Sequence, residues 1–231
     1  MHWEWKNCPT VWRGQFTSGY KGSHSTMILE AIADHRLWIW HAYFDMAGSN
    51  NDINVLNSSY LFTEQCNGNG PTIEFTANGR KHHMGYYLAD DIYPRWSVFF
   101  NTISCPTDRH RALFAQRQEA ARKGVERVFG VLQAWWATVN GPTRFWYKEV
   151  IADVMYAYII LYNMIVEHEG GSVTDWGDDE AGSSTATPPH VRGRLMGYND
   201  VLAAQASMRN QQDHARLMSD IVEEIWERNR R

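Results

Sequence analysis

The chain has 231 residues, enough to bury one core of about 170 residues plus an extension but tight for two complete domains. Its hydrophobic fraction of 44% and charged fraction of 21% are those of an ordinary soluble protein, and polar residues interrupt the longest apolar runs before spanning length, which argues against a membrane protein. A formal net charge of -4 argues against a general nucleic-acid binder.

That charge is unevenly placed. Between residues 101 and 150, Arg109, Arg111, Arg117, Arg122, Lys123, Arg127, Arg144 and Lys148 stand against only Asp108, Glu119, Glu126 and Glu149, so the stretch is locally basic. Residues 167 to 180 hold six acids and no Lys or Arg. The three cysteines, Cys8, Cys66 and Cys105, are far apart with no CxxC pair, which suits a reducing compartment and argues against a zinc knuckle. The opening MHWEWKNCP lacks the basic and apolar regions of a secretory signal, so a nuclear or cytosolic protein is expected.

In chain order, STMILEAIAD (25–34) and LWIWHAYFDMAG (37–48) read as two strands of a hairpin. Asn51 or Asp52 caps a helix carrying Ile53, Leu56 and Leu61. Asn78-Gly79 between two short β-prone segments signals a tight hairpin. Tyr86 to Asp90 reads as a strand ending in acid. From Asp108 to Asn140, Leu113, Ala121, Val125, Val128, Phe129, Leu132 and Trp136 recur at helical spacing, and Gly141-Pro142 closes this long amphipathic helix. The run from Phe145 to Glu169 is apolar nearly all round and is expected to be buried against the sheet. The Gly, Ser, Thr, Pro and acid-rich stretch at 170–198 reads as a linker, and the C-terminal segment at 199–231 as helical. Together these describe an α/β sheet with helices on its faces.

Two-metal phosphodiester chemistry needs carboxylates converging on Mg²⁺ or Mn²⁺, because the ions together activate the attacking oxygen and stabilise the leaving one. Asp90, where the apolar strand stops, and Glu126, beside the apolar stripe of the long helix, are the candidate ligands. Asp91 points to the opposite face if the strand continues. Each has a bland counterpart: Asp before a turn is common, and Arg122 with Glu126 forms an ordinary four-residue helix pair. Asp52 is explained by capping, and His82 and His83 lack metal-site spacing and read as strand surface. Trp38, Trp40, Trp135, Trp136 and Trp146 fall in core-like patterns rather than forming a base-stacking surface. The glycines at 19, 22, 68 and 70 do not link a strand to a helix, so a nucleotide-binding loop is not supported.

HWEWKNCPTVWRGQF, MILEAIAD, LWIWHAYFDMAGSNNDINVLN, FTANG, MGYYLADDIYP, FAQRQEAARKGVERVFGVLQA, IILYNMIVE and RNQQDHARLMSDIVEEIWERNRR resemble, in order, the blocks of the plant branch of the PIF/Harbinger transposases. The resemblance covers nearly the whole chain apart from the acidic linker. It implies an RNase H-like (DDE transposase/integrase) domain over 1–169 with its first strand largely missing, followed by the linker and the C-terminal helices. It further implies Mg²⁺- or Mn²⁺-dependent cutting and joining of DNA at terminal inverted repeats, a Myb-like partner, possible self-association and a nuclear location.

Asp90 matches the family's second acid, separated by two residues from Tyr-Pro, and Glu126 matches the third, in a block where Arg122 precedes Glu-Arg and Phe-Gly. Positions 91 to 125 separate them, a gap of 35 residues typical of the triad. Relatives carry Asp-Cys or Asp-Gly immediately before the block that begins here at Met1, so the first acid is absent and the chain is expected to be a truncated, inactive nuclease. Neither Glu4 nor Asp52 replaces that acid. Asp91 stands where the relatives often have Gly. Arg117, Arg122, Lys123 and Arg127 are the expected phosphate contacts. The alternatives are a non-catalytic DNA- or protein-binding module and a decaying transposon remnant.

Overall fold

In a computed structural model, which describes residues 1–19, 22–61, 73–83, 85–96, 98–169 and 210–230, the chain divides into two compact units. One comprises Met1–Ser58 and Lys123–Asp179, the other Ser59–Arg122 and Glu180–Arg231. The division runs differently from the expected boundary near residue 169, because the C-terminal helix belongs with the middle of the chain. The expected linker, Leu202, Cys66, Gly68 and Gly70 lie outside the described residues.

The first unit is built on a three-stranded antiparallel sheet of β1 (His2–Glu4), β2 (Thr26–Ala33) and β3 (Ile39–Ala47), in that order. The β2–β3 pair forms the expected hairpin, with Met27 opposite Ala47 and Ala33 opposite Ile39. The ladder passes from Ile28–Met46 to Leu29–Phe44, leaving Asp45 as the extra residue of a bulge with φ 126°. Helix α1 (Thr10–Phe16) follows β1, and α2 (Asp52–Ser58) follows β3. Asn51 caps α2, its Oδ1 accepting from the Asn54 amide at 2.8 Å, and Val55 and Leu56 are the residues it buries.

Trp3 and Trp5 anchor this unit's core. Their ring nitrogens donate to the carbonyls of Gly141 at 2.9 Å and Phe145 at 2.8 Å, so the indoles are buried without losing a hydrogen bond. Trp5 also meets Phe16 edge-on at 5.1 Å. Around them pack Met27, Leu29, Phe44, Val128, Leu132, Ile151 and Met155.

The long helix α3 (Arg109–Trp135) starts on Asp108, whose Oδ1 accepts from the Arg111 amide at 2.9 Å, and the boundary between the units falls within it. Trp136, with extended backbone, separates it from the single turn α4 (Ala137–Asn140). The residues α3 buries are Phe114, Gln118, Val128 and Leu132, while Leu113 and Val125 are half-buried and Ala121 is exposed. The expected stripe is therefore correct in the second half of the helix and displaced in the first.

Helix α5 (Lys148–Glu169) corrects a second expectation. It buries one face, Ile151, Met155, Ile159, Tyr162 and Val166, and leaves Ile160, Leu161 and Met164 in solvent. Its seat is polar as well as apolar: Asn163 exchanges two hydrogen bonds with the Ile39 backbone, at 2.9 and 2.8 Å, and the Tyr156 hydroxyl accepts from the Phe44 amide at 3.1 Å. Lys148 reaches back to the Asp45 carboxylate at 3.1 Å. Trp40, Trp135 and Trp146, expected in the core, are exposed, and Trp38 and Trp136 are half-buried. Helical or strand spacing places a tryptophan on a face but does not say that anything covers that face.

The second unit contains the hairpin β4 (Phe75–Ala77) and β5 (Arg80–His82), the parallel pair β6 (Tyr87–Ala89) and β7 (Phe99–Asn101), the first turns of α3, and helix α6 (Gln211–Arg230). Asn78 (φ 49°) and Gly79 (φ 71°) make the two-residue left-handed turn that their dipeptide predicts. Ala77, Phe100, Phe114, Leu217, Ile221 and Val222 form this unit's core. Helix α6 is fastened to the hairpin by Asp220, which is buried and accepts from Arg80 Nη1 at 2.9 Å, His82 Nε2 at 3.2 Å and Asn78 Nδ2 at 3.4 Å. His82 is thus partly covered, hydrogen-bonded to Asp220 and stacked on Phe75, rather than lying on a bare strand surface.

Candidate functional site

The chain leaves the carboxyl end of β6 at Ala89, and Asp90 is the next residue. Beside it β7 runs parallel, with Ala89 opposite Asn101. Carboxyl ends of parallel strands are where α/β sheets keep their sites, because the loops there are free to vary while the strands hold them.

Asp90 opens a turn closed by the Tyr93 amide donating to the Asp90 carbonyl at 3.1 Å. The turn is clamped from the neighbouring strand. Asn101, a buried residue, donates from Nδ2 to the carbonyls of Asp90 at 3.1 Å and Tyr93 at 2.8 Å. The Asp90 carboxylate is itself engaged on both oxygens. Oδ1 accepts from the Asp91 amide at 2.7 Å, and Oδ2 lies 3.3 Å from Arg122 Nη2.

Arg122 arrives there because of where α3 is anchored. Phe114 is buried against Phe100, and Gln118 Nε2 donates to the Phe100 carbonyl at 2.6 Å. Arg122 is the next residue on that i, i+4, i+8 face, so two buried contacts to β7 deliver its guanidinium to the end of β6. It also donates to Thr102 Oγ1 at 3.3 Å and Glu119 Oε2 at 3.5 Å. Arg122, expected as a phosphate contact, therefore stands among carboxylates, and it is less exposed than Asp90.

Of the other candidates, Asp91 is exposed and accepts from Ser104 Oγ at 3.2 Å. Arg117 is exposed, with Nη2 donating to Asn229 Oδ1 at 3.2 Å. Lys123, Glu126 and Arg127 are exposed on the part of α3 that belongs to the first unit. Asp90 and Arg122 are brought together; Glu126 falls in the other unit. Next to the Asp90 turn, within the second unit, is a cleft of about 750 Å³ lined by Asp91, Arg95, Asn101, Ser104, His110 and His214 among others. Burial holds the pKa of His214 below its ordinary 6.5, with Nε2–H donating to the Phe99 carbonyl at 3.0 Å and Arg95 adding a repelling charge.

Asn101 and Gln118 were not candidates from the sequence. The one signal is at Asn101, a polar residue that directly follows Val98, Phe99 and Phe100, whereas Gln118 sits among the polar residues Gln116, Arg117 and Glu119 and carries none.

Among the described residues no three His, Cys, Asp or Glu side chains gather closely enough to hold an ion, and both Asp90 oxygens already have partners. No hydrolytic step is therefore assigned to these side chains alone.

A mixed α/β chain with an arginine-held carboxylate at the end of a parallel strand pair fits many classes of protein. The sequence itself narrows this: residues 1–173 match the family described as plant transposon protein. The match covers well over half of the 231 residues, so the chain belongs to that family. No curated protein and no solved structure matches it.

Proposed function

We propose that the chain is a transposase-derived DNA-processing domain of the PIF/Harbinger DDE type, with an RNase H-like fold in which Asp90 and Glu126 are two of the acidic ligands for Mg²⁺ or Mn²⁺. One observation carries the reading: in a plant transposon protein, Asp90 follows directly on the carboxyl end of a parallel strand and is held by a buried clamp, Asn101, and a cation, Arg122. Its substrate is DNA at terminal inverted repeats, approached along Arg117, Lys123 and Arg127. A Myb-like partner, self-association and a nuclear location go with that role.

The second reading is a non-catalytic DNA-binding module, favoured by the engagement of both Asp90 carboxylate oxygens, one by the Asp91 amide and one by Arg122. Mn²⁺-dependent nicking of terminal-repeat DNA separates the two. The assay sets this chain beside a form lengthened at its front by an Asp-containing segment, with Asp90→Ala and Glu126→Ala controls in both. Cutting that both controls abolish supports the nuclease. Folded protein that binds DNA, loses affinity steeply with salt and never cuts supports the binding module. Cutting indifferent to both substitutions removes Asp90 and Glu126 from the reaction.

A further inference from the structure

The exposed face of α5 is too apolar to be left in water. Met164 is 58% exposed, Ile160 61%, Leu161 45% and Val150 39%. At about 100° per residue these four, with exposed Ala157, fall in one stripe about 100° wide, opposite the face that packs on the first unit's core. By length and composition alone α5 could cross a bilayer, but its other face is committed to β3 through Asn163 and Tyr156. A helix apolar on both faces with one already packed has room for one further partner.

We propose that this partner is the same stripe on a second copy of the chain, packed antiparallel about a two-fold axis between Ile160 and Leu161. Charge and size both select this register. Exposed Asp153 and His168 bracket the central stripe residues Ala157, Ile160, Leu161 and Met164, seven positions before Ile160 and seven after Leu161, with Val150 about one turn beyond Asp153. Antiparallel packing sets each Asp153 carboxylate opposite a His168 ring N–H of the other copy, whereas parallel packing sets Asp153 against Asp153, a like-charge opposition. Ala157 and Met164 lie three to four residues either side of the same axis. The antiparallel register seats each long Met164 over the gap left by a small Ala157, while the parallel one sets large on large and small on small. Ile160 and Leu161 meet each other at the centre. The same surface patch serves both copies, as a two-fold interface requires. One helix face per copy lies at the low end of specific interface areas, so dissociation in the micromolar range is expected.

The experiment is sedimentation velocity on the full chain up to about 100 μM, without nucleic acid, so its outcome is independent of the nuclease reading. The expected result is a monomer–dimer equilibrium. Ile160→Asp and Met164→Glu each raise its Kd about ten-fold or more, because they place a charge in the apolar seam. Both positions are exposed in the single chain, so at concentrations well below the dimer Kd the helical signal and melting temperature stay unchanged. Asp153→Lys and His168→Glu each weaken the dimer, and the double substitution restores it. A monomer at the highest concentration, whether or not it binds neutral lipid vesicles, overturns the proposal. So does a dimer indifferent to both stripe substitutions, or one in which the double charge exchange fails to rescue.

Discussion

Arg122 Nη2 stands 3.3 Å from Asp90 Oδ2, and this ion pair joins the long helix to the end of the parallel strand pair within the second unit. More than half of the Asp90 side chain is exposed, so water screens the attraction. Arg122→Ala is therefore expected to cost only about 0.5–1 kcal/mol in urea unfolding. Arg122→Lys keeps the charge but loses the spread of donors reaching Thr102 and Glu119 as well, and recovers part of that. A loss of several kcal/mol on Arg122→Ala would mean that the pair is shielded far more than its exposure indicates.

Asn101 does more for the same turn. Its amide is buried and holds two carbonyls, those of Asp90 and Tyr93. Asn101→Ala is expected to cost about 1–3 kcal/mol, because both acceptors lose their donor at a site that water enters poorly. Asn101→Asp is expected to be worse despite its matching shape, since a carboxylate oxygen then faces two carbonyl oxygens. Urea melts of the two variants check the order. If Asn101→Asp is the milder change, Nδ2 is not the atom that holds the turn.

What the sequence made legible follows from how local each rule is. The Asn78-Gly79 hairpin, the Asn51 cap and the β2–β3 hairpin depend on neighbours a few residues apart, and each stands where those residues put it. Asp90 at a strand end was legible for the same reason. The partners of Asp90 were not, because Arg122 is 32 positions away in sequence and reaches it only after Phe114 and Gln118 seat α3 on β7. Sequence spacing offers Arg122 its helix neighbours Glu119 and Glu126, and only the fold adds Asp90. The apolar run of α5 misled in another way. Composition showed that both faces avoid water but not that only one is covered within the chain.

The attachment of α6 turns on Asp220. Three donors from the β4–β5 hairpin meet its buried carboxylate, and Asn78 donates its backbone amide to Glu224 Oε2 at 3.0 Å one turn further on. Asp220→Ala leaves Arg80 and His82 without their acceptor. Because Arg80 is itself half-exposed and can turn to water, the loss is expected at about 2–3 kcal/mol rather than the full cost of breaking a buried pair. Hydrogen exchange tests this directly: amides of α6 should exchange faster in Asp220→Ala while those of α5 hold their rates. Equal acceleration in both helices would make the effect global and remove Asp220 as a local fastening.

Acid sensitivity of the second unit is expected to centre on His214. Burial favours its neutral imidazole and lowers its pKa from 6.5, more than the hydrogen bond to the Phe99 carbonyl raises it, and Arg95 adds to the lowering. The unfolded chain then takes up a proton more readily than the folded one. The stability contributed by the neutral ring is complete above the unfolded value of 6.5 and is lost as the pH falls through the lowered folded value. His214→Gln keeps a donor for Phe99 but cannot be protonated, so it should flatten that part of the pH dependence even where it lowers stability at pH 7. His41 in the first unit, whose pKa burial also lowers, provides the comparison. Urea melts between about pH 7.5 and pH 5, read separately on each unit by hydrogen exchange, should show His214→Gln flattening only the second unit and His41→Gln only the first. A pH slope in the second unit that survives His214→Gln unchanged assigns the acid sensitivity to another group.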